Sequence, residues 1–418
     1  MKRQRAKKKN PNPNPAFFNN VTMKPCQTWL MQFNNVLLLL FILFLPTQLG
    51  KHFFFDFSYL SGVRVDYLAP TIYLTDILAL ILIFLNLKSV IRWFINKKIL
   101  ILLLILLINL LFSQNIFISV YRYIKVLEII GILFIFRQAR LSKKLLLSGF
   151  LIGAVFELLL ATAQFINKHS LQGLLYFFGE RPLDLSLPGV AKASLNGVEI
   201  LRPYGTFSHP NSLAGFYLLI YFFILTSKKF TNTFAKNILL LVCSLLIFLS
   251  FSKVAIATYL LFNFIYLWKS HLKKTCKLCL TSRIFVLLVV SLVFLQATTD
   301  PLSLKKRLQL MQNAFSIIAK NPIFGVGIGN YLPVQHQFPE RFAGLINQPV
   351  HNIFLLLTSE IGILSIVGFG ILFFQELKKA IKNAPYIFFV ILLTGIFDHY
   401  WLTLQQNFLL IGVILGVL

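Results

Sequence analysis

Apolar runs of close to membrane length recur from one end of the chain to the other, "NVLLLLFILFL", "ILALILIFLNL" and "ILILLLILLINLL" among them. About 20 apolar residues cross the hydrocarbon of a bilayer. Inside lipid every backbone N–H and C=O must be bonded within its own helix or a closed barrel. A chain built this way folds as packed helices. Hydropathy places twelve spans, at roughly 30–48, 68–87, 96–112, 116–136, 145–165, 211–227, 236–251, 254–269, 282–298, 351–373, 383–397 and 400–418. Composition agrees, with 57% hydrophobic and only 13% charged residues. The fold class expected is therefore an all-α polytopic membrane protein, with a basic tail over 1–29 and one membrane domain over 30–418. The first apolar run lies well inside the chain and "PTQLGKH" offers no small-residue cleavage site, so a cleaved leader is not expected.

A net charge of +27 invites a polyanion as partner, but its distribution argues otherwise. Most of the 40 Lys and Arg fall in the head "MKRQRAKKKN" and in alternate connections, among them Lys88, Arg92, Lys97, Lys98, Arg137, Lys143, Lys144, Lys228, Lys229, Lys378 and Lys379. Glu376 is the one acid in those connections. This is the positive-inside pattern, which puts the N-terminus in the cytoplasm and needs no nucleic acid. The head can also touch anionic lipid, and "PNPNP" ends it as an extended linker. Cys276-x-x-Cys279, near His271, lacks the second ligand pair of a structural zinc site, so reduced cytoplasmic thiols are expected there.

Polar chemistry gathers on the opposite, extracytoplasmic side, in loops over 166–210 and 299–350. Loops of that length are uncommon unless functional. His52, His169, His209, His336, His351 and His399 all fall on this side or at its membrane edge. "RPYGTFSHPNSLAGF" (residues 202–216) leads from the first loop into a span. Pro210 near the helix start and Asn211 as a polar cap are ordinary there; Arg202 and His209 are not. Lys253 sits in the short turn "SFSKVAI". In the second loop, Leu304, Leu308, Met311, Phe315 and Ile318 recur at helical spacing, with Lys305, Lys306 and Arg307 on or beside that face, as in an interfacial helix. "NPIFGVGIGNY" has no βαβ context for a nucleotide and reads as a tight turn, its N–H groups open to an anion. His351 and Asn352 open the span "HNIFLLLTSEIGILSIVGF". Charges inside spans are functional candidates by default. Lys125 and Glu128 have the spacing of a pair, near Arg122, whereas Asp76 and Glu157 stand alone in theirs. Asp398 and His399 close the outer face near the C-terminus.

"RPYGTFSHPNSLAGF", "SFSK", "NPIFGVGIGNY" and "HNIFLLLTSEIGILSIVGF", in that order, resemble the signature of the O-antigen ligase and polymerase superfamily. Its members include lipopolysaccharide O-antigen ligases, glycan-repeat polymerases and protein O-oligosaccharyltransferases. The resemblance is firm from about 200 to 370 and extends in topology along the chain. It implies a GT-C-like membrane glycosyltransferase of the bacterial cytoplasmic membrane. Such an enzyme moves a glycan from a polyprenyl-diphosphate carrier, undecaprenyl diphosphate in bacteria, to an acceptor hydroxyl outside the cytoplasm. Arg202 and His351 match the family's Arg and His-Asn positions. Two positions depart from it: Lys253 stands where many relatives carry Arg, and the segment after the His-Asn block reads Gly362-Ile363-Leu364-Ser365.

The chemistry of the residues fits that implication. A diphosphate leaving group gains charge in the transition state, and Arg binds phosphate through a planar fork. Arg202 is the first choice for this role, with Lys253 and Arg307 as helpers. His351 is the candidate base for the acceptor hydroxyl, with His209 in reserve and Asn211 and Asn352 in support. The expected site uses cations in place of a metal and has no cofactor. Its partners are a lipid-linked oligosaccharide donor, a glycan or glycolipid acceptor and membrane lipid. The main rival is a flippase for lipid-linked glycan, although no internal repeat of the transporter kind is visible.

Overall fold

A computed structural model of the chain describes residues 25–139, 141–187, 189–195, 197–227, 229–230, 234–269, 285, 289, 302–339 and 347–418. The basic head, the segment holding His271, Cys276 and Cys279, and nearly all of the span expected at 282–298 lie outside the described residues. The helices are α1 (Pro25–Phe44), α2 (Leu74–Leu85), α3 (Leu87–Phe94), α4 (Lys97–Leu111), α5 (Ile116–Gln138), α6 (Lys143–Asn167), α7 (Pro210–Thr226), α8 (Phe234–Leu249) and α9 (Lys253–Lys269). After these come α10 (Leu302–Lys320), α11 (Tyr331–Gln335), α12 (Ile353–Leu372), α13 (Phe374–Asn383), α14 (Pro385–Phe397), α15 (Tyr400–Thr403) and α16 (Gln405–Val417). Short antiparallel ribbons decorate the loops: β1 (Gly50–His52) with β4 (Thr71–Tyr73), β2 (Tyr59–Leu60) with β3 (Val63–Arg64), and β5 (Lys192–Leu195) with β6 (Val198–Leu201).

The chain is a helical membrane protein. By length and apolarity two of the described helices, α6 and α12, are able to cross a bilayer on their own. The number rises to four if each bent pair, α2–α3 (86°) and α13–α14 (106°), forms one span. The expected segments outside 282–298 coincide with helices, with two shifts. The second starts at Leu74 rather than 68, because Thr71–Tyr73 pairs with Gly50–His52. The last is broken at Leu404 into α15 and α16.

Helix α7 is the axis of the bundle. Residues 212–225 are buried on all sides, as expected of a helix apolar all round. Helices α8, α14 and α16 pack on it, and α6 joins α1 to α8. Gly215 of α7 faces the Tyr400 ring so closely that a Cβ there would lie 2.3 Å from its hydroxyl. Helix α16 packs along α5, and α10 along α12.

Two expectations are corrected here, the first and the third below, and one is refined. First, the glycine turn is closed to anions. Helix α12 breaks at Gly362 (φ +73°), and the turn docks its own backbone into the break. Ile363 N donates to Pro322 O (2.9 Å), Val326 N to Ser359 O (2.9 Å) and Gly327 N to Glu360 O (2.9 Å). Ile328 N donates to Asn109 Oδ1 (3.2 Å), so these N–H groups are spent inside the protein. Second, the buried face of α10 is Leu310, Ala314 and Ile317, whereas Leu304, Leu308 and Phe315 point outward. The periodicity was legible, but two apolar faces share the helix and sequence spacing does not rank them. Third, Asp76 is not alone: it pairs with Lys125 across helices and accepts from Gln405 Nε2 (2.5 Å).

Candidate active site

The segment before α7 is held from below by α6. Gln164 Oε1 accepts from Tyr204 N (3.0 Å) and Gly205 N (2.8 Å), while its Nε2 donates to Glu180 Oε1 (2.9 Å). Two turns earlier on the same helix, Glu157 accepts from Thr206 N (3.0 Å) and from the Thr206 hydroxyl. Gly205 (φ +58°) is required at this point, because a Cβ would sit 2.1 Å from Glu157 Oε2. The acid that looked isolated in its span is thus the clamp that aims "RPYGTFSHPN" at the axis helix.

His209 rather than Asn211 caps α7: its Nδ1 accepts from Asn211 N (3.1 Å), with Pro210 in the first turn. Asn211 is therefore free to bridge. Its Oδ1 accepts from Arg202 Nη2 (2.6 Å) and its Nδ2 donates to Asp398 Oδ2 (2.8 Å). Arg202 Nε also donates to Ser250 O (2.9 Å), which ties in the turn that carries Lys253. Asp398 Oδ1 accepts from His399 N (2.8 Å) and faces His351 Nδ1 at 3.5 Å, just beyond hydrogen-bond length. His351 and His399 lie ring to ring at 5.1 Å, and His399 Nδ1 bonds Thr403 Oγ1 (2.7 Å). The result is one continuous chain, Arg202–Asn211–Asp398–His351, assembled from three separate stretches of sequence.

Of the remaining expected residues, Asn352 caps α12, accepting from Phe354 N (2.9 Å) and Leu355 N (3.0 Å). Its Nδ2 donates to Ile396 O (3.1 Å), and Arg307 Nη1 donates to the neighbouring Phe397 O (3.3 Å). Both brace the Asp398 corner. Lys253 opens α9, three residues beyond the Ser250 carbonyl that Arg202 holds.

A cavity of about 540 Å³ lies over this chain, lined by His209, His351, Asp398, His399, Tyr204 and Arg181 among others. Arg202, Lys253 and Arg307 are not in its wall. The cation that is, Arg181, was missed in the sequence; its Nη1 donates to Ser208 O (3.2 Å). No motif flagged it, since it sits in an irregular loop that only tertiary folding lays beside His209. Asp398 was noted at the membrane edge but not as the hub.

Burial pushes His209 down to about 3, with the Arg202 charge adding to the effect and Asp398 opposing it. Burial likewise takes His399 to about 4, against the pull of Asp398. Burial also lowers Arg202, to about 10, which leaves it charged. For Asp398 burial favours the neutral acid, but His351, His399 and His209 outweigh it and hold the carboxyl below the usual carboxylate range. The site therefore carries an ionised carboxylate between a fixed guanidinium and a half-buried imidazole. A carboxylate facing Nδ1 favours the proton there and leaves His351 Nε2 as the acceptor. The donor atoms of His351, Asp398 and His399 all fall within 4.8 Å of one another, a set that suits a divalent cation of the zinc type.

A second cavity, of about 430 Å³, lies between α4, α5, α12 and α16. Its walls are largely aliphatic, including Leu102, Ile129, Leu133, Ile361 and Ile411. Its polar end holds Arg122, Lys125, Glu360 and the Thr403–Gln405 break. Residues 213–370 match the family model described as O-antigen ligase (Wzy_C). Over those residues the chain is similar to O-antigen ligases. No curated protein matches it. The matched stretch contains Lys253, Arg307, His351 and Asn352, whereas Arg202, His209, Asn211 and Asp398 lie outside it. The match supports a membrane glycosyltransferase of the O-antigen ligase/polymerase type in general terms.

Proposed function

We propose that the protein transfers a glycan from a polyprenyl-diphosphate carrier to an acceptor hydroxyl, on the extracytoplasmic face of a bacterial cytoplasmic membrane. The observation that carries this reading is the Arg202–Asn211–Asp398–His351 chain beneath a cavity of about 540 Å³. In the proposed step the acceptor oxygen attacks the anomeric carbon while its proton passes to His351 Nε2. The bond from that carbon to the diphosphate oxygen breaks, and the diphosphate leaves with the electron pair. One displacement of this kind inverts the anomeric centre. Asp398 orients His351 and stabilises the imidazolium that forms, a role worth most where water is excluded.

The charge on the departing diphosphate is met by Arg181 in the cavity wall, with Arg202, Lys253 and Arg307 behind it. No metal is required in this reading. Arg202 has a second duty, because its link through Asn211 fixes Asp398. The aliphatic cavity of about 430 Å³ has the lining for a polyprenyl tail, and Leu404 stands in its wall and in that of the site cavity. The outward apolar face of α10, Leu304, Leu308 and Phe315, suits lipid.

A flippase would use unwound helix segments as its substrate site. The break in α12 is filled by the protein's own turn, which disfavours that use. The test is transfer in proteoliposomes loaded with polyprenyl-diphosphate oligosaccharide. New glycosidic product that disappears in His351→Ala and Arg202→Ala supports the proposal. Movement of the lipid-linked glycan across the bilayer without a new bond overturns it.

A further inference from the structure

Proton transfer at His351 Nε2 leaves two features of the site unused. The first is His351 Nδ1, which is buried and has no hydrogen-bond partner although Asp398 Oδ1 lies 3.5 Å away. That separation is too long for a good hydrogen bond. It is close to the ~3.4 Å between two ligands of a tetrahedral ion whose bonds are about 2.0–2.1 Å long. An ion at such a distance fits where a water molecule, which needs ~2.8 Å, does not. The second feature is a lone pair on His399. The Thr403 hydroxyl donates to His399 O (3.1 Å), so its oxygen accepts from His399 Nδ1 (2.7 Å). The ring proton is thereby held on Nδ1 and Nε2 is left bare. Metal-binding histidines are fixed by an outer partner in the same way. Asp398 is braced too, its Oδ2 accepting from Asn211 Nδ2 (2.8 Å).

All three residues line the cavity of about 540 Å³, which gives an ion its way in. Their donor atoms lie within 4.8 Å of one another, so the widest pair has to close by at most roughly 1.4 Å to reach a tetrahedral edge. His351, its side chain 23% exposed, is the ring with room to move. Two imidazoles and one carboxylate, with a fourth position open to a cavity, are a zinc-type donor set. Magnesium and calcium prefer oxygen alone. Arg181 in the same wall and Arg202 behind Asn211 oppose a cation, and the Asp398 carboxylate favours it.

We infer that His351, Asp398 and His399 take up a zinc-type divalent cation, and that the ion turns the site off. The reason is where the proton goes. A neutral imidazole carries one ring proton. With Nδ1 on the metal that proton sits on Nε2, the atom that has to receive the proton of the acceptor hydroxyl. Asp398, spent on the ion, no longer steadies an imidazolium. The ion is an added inhibitor and not a resident part of the enzyme, so chelator alone leaves transfer unchanged. Binding stands apart from the transferase reading; only the inhibition rests on it.

The direct test is cobalt(II) titrated into the full chain in nanodiscs, with any affinity tag removed. Cys276→Ser and Cys279→Ser are included so that those thiols take no metal. The expected result is one bound ion with the visible absorption of tetrahedral cobalt, displaced by zinc. His399→Ala abolishes the absorption. Thr403→Val keeps all three ligands and loses only the outer partner, so it weakens binding about 10–100-fold. No such absorption, or one unchanged in both variants, overturns the inference. If the melt of His399→Ala shows that it does not fold, Thr403→Val decides alone. In proteoliposomes, zinc should abolish glycan transfer and EDTA should restore it, while the residual transfer of His399→Ala should ignore zinc. Zinc that binds and leaves transfer unchanged, or raises it, overturns the inhibition. If no transfer occurs under any condition, the transferase reading fails and the cobalt spectrum still decides the metal site.

Discussion

Two clusters of buried charge lie along the same bundle and are finished differently. In one, α2, α5 and α16 meet at Asp76, Lys125, Glu128 and Gln405. Lys125 pairs with Asp76, lies 3.8 Å from Glu128, and sits 5.2 Å and 5.5 Å from the ring centroids of Tyr73 and Tyr121. In the other, Arg202, Asn211, Asp398 and His351 end on an open cavity, with His351 Nδ1 held 3.5 Å from Asp398 Oδ1, just beyond a full bond. Both contain a cation, a carboxylate and an amide, so residue type does not separate them. The difference is what remains unspent. The lysine of the first cluster is spent on its partners, as befits a clamp between three helices, although it borders the aliphatic cavity, whereas the second keeps an imidazole available to a ligand.

The comparison breaks most readily at His351. His351→Ala is expected to cut kcat for glycan transfer by about 10²–10⁴-fold, the usual worth of a general base, with an unchanged melting temperature. Asp398→Asn should fall in the same direction and shift the pH–rate profile, since the imidazolium loses its counter-charge. A loss of folding rather than of turnover in His351→Ala would make the outer cluster a clamp as well.

Lys125→Met is the mirror experiment. It strands Asp76 and Glu128 in the bundle and should cost about 3–5 kcal/mol of stability, read as a lower melting temperature or folded yield. Adding Asp76→Asn should restore part of it. Lys125→Met with normal stability but no activity would reverse the assignment.

Arg202→Lys sharpens the view of the outer chain. It keeps the charge but loses the fork that holds Ser250 O and Asn211 together, so a smaller drop of about 10–100-fold in kcat is expected. Arg202→Lys indistinguishable from the parent would reduce Arg202 to a plain field charge.

Acid gives a weaker effect, with a defined sign. His209 and His399 titrate near 3 and 4 when folded and near 6.5 when unfolded. Between those values the unfolded chain binds more protons, so stability falls as pH drops from about 6.5 toward 4. Asp398, depressed in the fold, adds its own loss only at lower pH, once the unfolded carboxyl begins to protonate. Thermal melts from pH 7 to pH 4.5 should show this decline, and His209→Asn should flatten it. A pH-independent melt would contradict the burial of these rings. The smallest effect expected is that of EDTA: transfer should not change. Loss on chelation, restored by zinc, would instead put a cation on His351, Asp398 and His399.

The site was partly legible in the sequence. Arg202, His209, Asn211 and His351 announced themselves as polar residues at helix starts in an apolar chain, and the structure brings all four to one place. Their division of labour did not show: His209 proved to be the cap and Asn211 the bridge, because that choice depends on where Asp398 lies. Arg181 carried no signal at all. Glu157 and Asp76 looked alone because their partners, Thr206 and Lys125, are 49 residues away in each case.

Hydrophobic runs were sufficient for a helical membrane fold, since that follows from transfer energies that each segment carries locally. Which face of α10 is buried, how α12 is broken and mended, and which carboxylate meets His351 were decided by packing between segments far apart in the chain. Only the tertiary structure brings those groups within hydrogen-bond range, and short-range bonds are what distinguish a clamp from a site.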